Sequence, residues 1–177
     1  MSQYAHLSVA DPEFAEASAH LPKSDPTDDV TEMRRRFDSM VKWGHENNKL
    51  LSTPTSELRV EEHKMPVDGG EITAKCMIST PTGGSAGPFP LFVNYHGGGY
   101  VVGGLSTDEP WLRQICVEQQ VSVVDVDYRL GPEFPWPYSH EDSYAALKWR
   151  ITFSFMQIYP KGSSSAERPP VVASQQV

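Results

Sequence analysis

Hydrophobic and polar positions near the start of the chain repeat with the period of an α-helix. Within residues 11–22 and 28–43 the apolar side chains return every three or four positions, which places them on one face of a helix. Residues typical of helix ends stand at the borders of both segments. The first helix is expected to start at Asp11, followed by Pro12. The second is expected to start at Thr27 or Asp28 and to stop at Gly44. The sequence therefore predicts two N-terminal helices.

The pattern then changes to the period of β-strands. Residues 58–65 and 71–79 read as strands; the second alternates apolar with polar side chains, and the turn signal at 66–70 between them predicts an antiparallel hairpin. Leu91–Tyr95 and residues 121–126 are nearly continuous apolar runs, which are typical of strands buried on both faces of a parallel sheet. The sequence thus predicts a hairpin that leads into a parallel part of the sheet.

Helical periods follow each of the two apolar strands. Residues 106–119 link the strands and complete a strand–helix–strand unit, which is right-handed when its strands are parallel. A further helix is predicted over residues 139–150. The spacing of Ser106 with Glu109, and of Ser139 with Asp142, matches the signal for the start of a helix. From residue 151 the period is lost, and we expect residues 151–177 to be a disordered tail.

Composition and charge limit the class of protein. The chain has 177 residues with 38% hydrophobic residues, enough for one globular core. The formal net charge of −8 argues against nucleic acid and anionic membranes as partners, and the basic run at 34–36 is interleaved with acidic residues. No apolar stretch is long enough for a membrane span, and no signal peptide is recognisable. Cys76 and Cys116 are expected as buried thiols, so we expect a cytoplasmic protein.

Three glycines after a buried strand are the main chemical motif. His96-Gly97-Gly98-Gly99 follows the strand Leu91–Tyr95. Glycine is common in loops of any kind, but a strand before the loop and a helix after it favour a catalytic role. Gly97 and Gly98 are the candidate N–H donors of an oxyanion hole, which stabilises the negative oxygen formed in acyl transfer. His96 and Gly99 are expected to support the loop.

A second motif, residues 127–133, follows the other apolar strand. Charged residues stand there at the carboxyl end of a strand, where open α/β sheets place their sites. We favour the simpler interpretation, a buried arginine–carboxylate pair that fixes the loop. Asp142 is a possible triad acid, but its place in the first turn of a helix favours a capping or dipole role.

Ser85 lies in Gly83-Gly84-Ser85-Ala86-Gly87, which matches the nucleophile pattern G-x-S-x-G. That motif needs a strand before the serine and a helix after it, whereas prolines stand on both sides here. We interpret Ser85 as part of a loop; a weaker alternative makes it a nucleophile with His96 as base. The sequence contains no phosphate-binding loop, metal-ligand spacing or dinucleotide fingerprint, so no cofactor and no metal are expected.

Taken together, four motifs resemble the hormone-sensitive-lipase-like branch of the α/β-hydrolases, also called the fold-3 group. The resemblance covers roughly residues 10–150 and matches the N-terminal part of that family. The motifs, in order, are 96–100, 124–133, 134–137 and 141–149. It implies an α/β fold: an incomplete α/β-hydrolase with cap-like helices over 1–50, a core over 51–150 and a non-family tail over 151–177.

The resemblance also implies an activity. Members are carboxylic-ester hydrolases, so a small-molecule ester is the implied substrate, with Gly97 and Gly98 in the oxyanion hole. The family's serine elbow, acid and histidine are expected after Trp149, where this sequence shows no such pattern and no histidine beyond His140. The alternative is therefore an inactive, truncated homologue with at most a binding role. Without the elbow strand, strand 91–95 is expected to have an unpaired edge that favours self-association.

Overall fold

A computed structural model of the protein describes residues 3–20, 26–48, 54–84, 88–158 and 171–173. A 3₁₀ turn at Ala5–Ser8 precedes helix α1, Pro12–Ser18, and helix α2, Val30–Asn47. Asp11 caps α1 as predicted, and its carboxylate accepts hydrogen bonds from the N–H groups of Glu13 and Phe14. The predicted helix ran to residue 22 and was too long, because α1 ends at Ser18. Residues 21 and 22 themselves lie outside the described residues.

The predicted limits of α2 were wrong at both ends. Asp29, rather than Thr27 or Asp28, caps the helix, because its carboxylate accepts from the Thr31 N–H at 2.9 Å. At the other end the helix continues through Gly44 to Asn47. A glycine inside a helix costs about 1 kcal/mol, which does not by itself end a helix.

The predicted hairpin is present. Strands β1, Leu58–Val67, and β2, Gly70–Ser79, pair antiparallel over their whole length. Gly69 in the two-residue turn has φ +67°, a conformation that glycine adopts without strain. Beyond the hairpin, β3, Leu91–Tyr95, and β4, Ser122–Asp127, pair parallel. β2 joins β4 antiparallel, so the hairpin leads into a parallel pair as expected.

Helix α3, Glu109–Glu118, links β3 to β4. The predicted capping box of Ser106 with Glu109 was wrong, because the helix begins at Glu109 and Asp108 holds the cap position. The carboxylate of Glu109 pairs instead with Lys75 at 2.9 Å and with Arg113 at 2.7 Å. The Glu109 carboxylate therefore pairs with two basic side chains and does not take part in a capping box.

The core lies on both faces of the sheet. On one face Val93, Val124 and Val126 pack with helix α4, Tyr138–Ile158, through Ala146. On the other face Met77 and Val123 pack against α3. Cys76 and Cys116 lie one on each side of the sheet, buried as thiols, as predicted.

The segment after residue 150 differs from the expected disordered tail. α4 continues to Ile158, and a short strand β5, Val171–Ala173, pairs parallel with β3. The sheet order is thus β1-β2-β4-β3-β5. The expectation of an unpaired edge is corrected over the three paired residues of β3, since backbone bonds to β5 cover them. Self-association through the edge of β3 stays a prediction, as does the division of the chain at residues 50 and 150.

Candidate functional site

The glycine loop begins at the carboxyl end of β3, next to the end of β4. Two of its glycines have positive φ angles, +131° at Gly98 and +59° at Gly99. A Cβ on Gly98 would lie 2.1 Å from the carbonyl oxygen of Val102, whereas one on Gly99 would meet nothing within 4 Å. Position 98 requires glycine because a side chain would collide with the backbone. Position 99 favours glycine only because of its positive φ angle.

His96 is buried beneath this loop and is only 2% exposed. Its ring stacks on Tyr128, with centroids 4.3 Å apart and planes 7° from parallel. Nδ1 lies 3.0 Å from the carbonyl oxygen of Gly97, and because a carbonyl only accepts, Nδ1 carries the hydrogen. Burial lowers the pKa of His96, so the ring is neutral at pH 7. The structure thus makes His96 a structural donor to its own loop.

Three successive peptide groups of the loop are held by their carbonyl oxygens. The Tyr128 hydroxyl donates to the carbonyl of His96 at 2.6 Å, and His96 Nδ1 donates to that of Gly97. The N–H groups of Val101 and Val102 both donate to the carbonyl of Gly98 at 3.1 Å. In a trans peptide the N–H points away from the carbonyl, so the N–H groups of the three glycines point away from these partners.

These N–H groups are available to a ligand. Among the described residues, none accepts a hydrogen bond from the N–H of Gly97, Gly98 or Gly99. Peptide N–H groups of fixed orientation that have no partner are the kind of donor that binds anions and stabilises a tetrahedral oxyanion. Tyr128 was missed as an anchor from the sequence, although it follows the apolar run of β4 directly.

The second motif forms the ion pair that we favoured. The guanidinium of Arg129 donates twice to Asp142, at 2.7 and 2.8 Å, and the Arg129 backbone N–H donates to the same carboxylate at 3.1 Å. The side chains are 9% and 1% exposed, and Arg129 also stacks on Phe134 and Tyr138. The predicted capping role of Asp142 was wrong, because the helix starts earlier, at Tyr138, and leaves Asp142 facing Arg129.

Arg34 joins the N-terminal helices to the loops of the site. Its guanidinium, on α2, donates to the carbonyl of Val101 and to that of Gly131, both at 2.9 Å. It also forms two 2.7 Å bonds to the carboxylate of Glu133. One side chain thus ties α2 to the glycine loop and to the loop after β4. Arg34, the first residue of the basic run at 34–36, therefore makes structural contacts to two loops.

Two buried polar residues were missed because they stand within apolar runs. Asn94 on β3 and Asp125 on β4 are register partners and are both fully buried. Asn94 Nδ2 donates to Asp125 Oδ1 at 2.9 Å and to Asp108 Oδ2 at 3.1 Å. Aligning the two predicted strands would have placed their polar residues side by side, and that alignment was the available signal.

Ser85 lies outside the described residues, so its interpretation as a loop serine stays a prediction. In the described part of the chain, no group of three or more histidine, cysteine or carboxylate side chains is placed to hold a metal ion. The helices described here include none that is long and apolar enough to cross a membrane. The cytoplasmic location also stays a prediction.

Comparison with known proteins identifies the class to which this fold and loop belong. The family described as the alpha/beta hydrolase fold matches residues 92–160 of the chain. Carboxylesterase NlhH of Mycobacterium tuberculosis is 42% identical over 104 residues, which make up 57% of this chain and 32% of that protein. Carboxylic ester hydrolase LipN of the same organism is 41% identical over 101 residues, 57% of this chain and 26% of LipN.

Solved structures agree with this assignment. Vibralactone cyclase superposes with a TM-score of 0.74 at 32% identity, over 84% of this chain and 44% of the cyclase. An esterase of Pyrobaculum calidifontis gives 0.67 at 30% identity, over 80% and 43% of the two chains. The resemblance to hormone-sensitive-lipase-like esterases is thereby confirmed for part of the chain, together with the incomplete α/β-hydrolase fold. The chain spans about a third of the length of NlhH and about a quarter of that of LipN.

Proposed function

We propose that Gly97 and Gly98 are the oxyanion-hole donors of a carboxylic-ester hydrolase of the α/β-hydrolase family. The observation that supports this most is the set of unpaired glycine N–H groups, whose peptide carbonyls are held by Tyr128, by His96 and by the loop itself. Such donors stabilise the negative oxygen that develops when an ester carbonyl is attacked. The relatives described as carboxylesterases support an ester as the substrate class.

We further propose that these 177 residues do not turn over esters by themselves. The sequence has no serine elbow after Trp149, and His96 is neutral, buried and committed to Gly97. Removing any member of a catalytic triad lowers the rate by several orders of magnitude. The second candidate function is therefore binding without turnover, in which the loop holds a small carboxylate or carbonyl compound.

An esterase assay separates the two functions. Purified chain is incubated with para-nitrophenyl butyrate, with and without prior treatment by a fluorophosphonate, and intact mass is recorded for adducts. The proposal expects no turnover above the buffer blank and no adduct. Turnover that the phosphonate abolishes would overturn the inactive interpretation. An adduct mapped to Ser85, with loss of turnover in Ser85→Ala, would restore the alternative nucleophile.

A further inference from the structure

Asn94 joins the two ends of the glycine loop. It stands two residues before His96, where the loop starts, and it donates to Asp108, which precedes α3, where the loop ends. Its second bond, to Asp125, fixes it to the neighbouring strand β4. Both N–H bonds of the amide are therefore used, and each holds a different element beneath the loop.

Two oxygens of this cluster have no partner. Asn94 Oδ1 and Asp125 Oδ2 are buried and make no hydrogen bond within the described residues. They belong to two side chains that are already joined by the bond from Asn94 Nδ2 to Asp125 Oδ1. An amide that faces a carboxylic acid forms two bonds, N–H to oxygen and O–H to oxygen. Here the first bond is present, and the two oxygens that the second bond would join are the two without a partner.

We propose that the folded chain keeps one proton on Asp125 Oδ2, which donates to Asn94 Oδ1 and closes a two-bond clamp beneath the glycine loop. One proton then satisfies both unpaired oxygens, each of which would otherwise cost free energy on burial. Loss of that proton sets a carboxylate oxygen against an amide oxygen, which are both acceptors, and loosens the hold of Asn94 on both ends of the loop. Asn94 and Asp125 are thus positioning residues. The inference rests on the proposed function only where it takes the glycine loop to be an oxyanion hole.

The charges around Asp125 support the neutral form. Burial raises the pKa of this carboxyl to about 7, and the negative charges of Asp108 and Asp127 act in the same direction. The hydrogen bond from Asn94 and the nearby ammonium of Lys75 act against them, but burial is the largest effect. The ammonium of Lys75 also forms a 2.9 Å pair with Glu109. The charged groups on the elements packed around Asp125 are Glu62 on β1, Lys75 on β2, Asp127 on β4, and Asp108, Glu109 and Arg113 at α3.

The clamp makes the stability of the loop depend on pH with a definite sign. When the loop opens, Asp125 is solvated and regains a pKa near the usual value of about 4. Below that pH the carboxyl is protonated in both forms, and the clamp is at full strength. As pH rises from about 4 to about 7, the open form loses its proton first, so opening becomes up to about tenfold easier per pH unit. Above about pH 7 both forms are ionised and the effect levels off.

Amide hydrogen exchange measured by NMR on the 177-residue chain tests this inference. The probes are the N–H groups of Val101, Val102 and Thr107, which bond within the loop. After correction for the intrinsic exchange rate, we expect protection to fall by roughly tenfold per unit between pH 5 and 7 and to level off above it. Asp125→Asn supplies an N–H in place of the O–H, so its protection should lack this pH-dependent step.

Asp127→Asn is the matched control. Asp127 is on the same strand, and burial also raises its pKa, but it makes no bond to Asn94. Asp127→Asn should therefore keep the pH-dependent step. The inference is overturned if the step persists in Asp125→Asn. It is equally overturned if carbon-13 NMR of the wild-type chain, which needs no variant, shows the Asp125 carboxyl ionised at pH 5. No ester or anion is used, so these results are separate from the test of the proposed function.

Discussion

The hydroxyl of Tyr128 donates a 2.6 Å hydrogen bond to the carbonyl oxygen of His96, beneath two stacked rings. This contact joins the residue that follows β4 to the first residue of the glycine loop. It orients the peptide group that carries the Gly97 N–H, because the N–H of that group lies opposite its carbonyl. The availability of the first donor therefore depends on a side chain 32 positions further along the chain.

Replacing Tyr128 with phenylalanine should remove this bond and keep the stacked ring. A buried carbonyl that loses its donor costs about 1–3 kcal/mol, so we expect the free energy of unfolding to fall by that amount. Urea denaturation measures it. Tyr144→Phe is the control, because Tyr144 is 61% exposed, and it should change stability by less than about 0.5 kcal/mol. Equal effects of the two variants would argue against the Tyr128 anchor.

The two glycines with positive φ should respond differently to alanine. Gly98→Ala places a Cβ 2.1 Å from a backbone oxygen, so the loop must move, and we expect loss of ordered amide signals throughout the loop. Gly99→Ala meets open space and should cost only about 1–2 kcal/mol for its left-handed conformation. NMR spectra of both variants check this. A native-like spectrum for Gly98→Ala would contradict the packing described here.

Asp142→Asn tests the buried ion pair with Arg129. A neutral amide leaves the guanidinium, which is 9% exposed, without its opposite charge. Breaking a buried pair from one side costs about 3–5 kcal/mol, and urea denaturation should show a loss of that size. Glu141→Gln changes an exposed carboxyl in the same helical turn and should cost less than about 1 kcal/mol. If Asp142→Asn costs as little as Glu141→Gln, the ion pair does not stabilise the loop.

Arg34→Met should loosen α2 from the loops of the site. The variant loses the bonds to the two loop carbonyls and to Glu133, whereas Arg35→Met, the control on the same helix, loses only pairing with Glu32. We expect faster limited proteolysis within α2 for Arg34→Met, and rates near wild type for Arg35→Met. The pairing with Arg34 lowers the pKa of Glu133 to about 2, so in the wild-type chain the tie should hold down to about pH 3. Similar proteolysis of both variants would show that Arg34 does not hold α2.

Local patterns in the sequence predicted much of the fold, because the relevant interactions lie between near neighbours. The cap at Asp11 and the hairpin of β1 and β2 follow from residues within a few positions of one another. The cap of α3 and the role of Asp142 were wrong, because their partners Lys75 and Arg129 arrive from other strands and loops. Asn94 and Asp125 were missed for the same reason, since only their alignment in the sheet reveals the bond between them.

The candidate site shows the same division. The strand before glycines 97–99 and the helix after them made this loop the candidate site, and its role stays a prediction. Their N–H groups are oriented by hydrogen bonds that Tyr128 and His96 donate to the loop carbonyls. The His96 ring is neutral because the fold buries it, which lowers its pKa. The orientation of the donors thus depends on tertiary contacts, which no periodicity in the sequence indicates.

We propose above all that Gly97 and Gly98 present free donors to an anion. The most direct measurement is a titration of the nitrogen-15-labelled chain with butyrate, a carboxylate of the kind that ester hydrolysis releases. We expect the amide signals of Gly97 and Gly98 to move downfield and to saturate in the millimolar range, with no shift for butyramide, which is uncharged. Unchanged glycine signals at saturating butyrate, with the loop otherwise ordered, would contradict the claim.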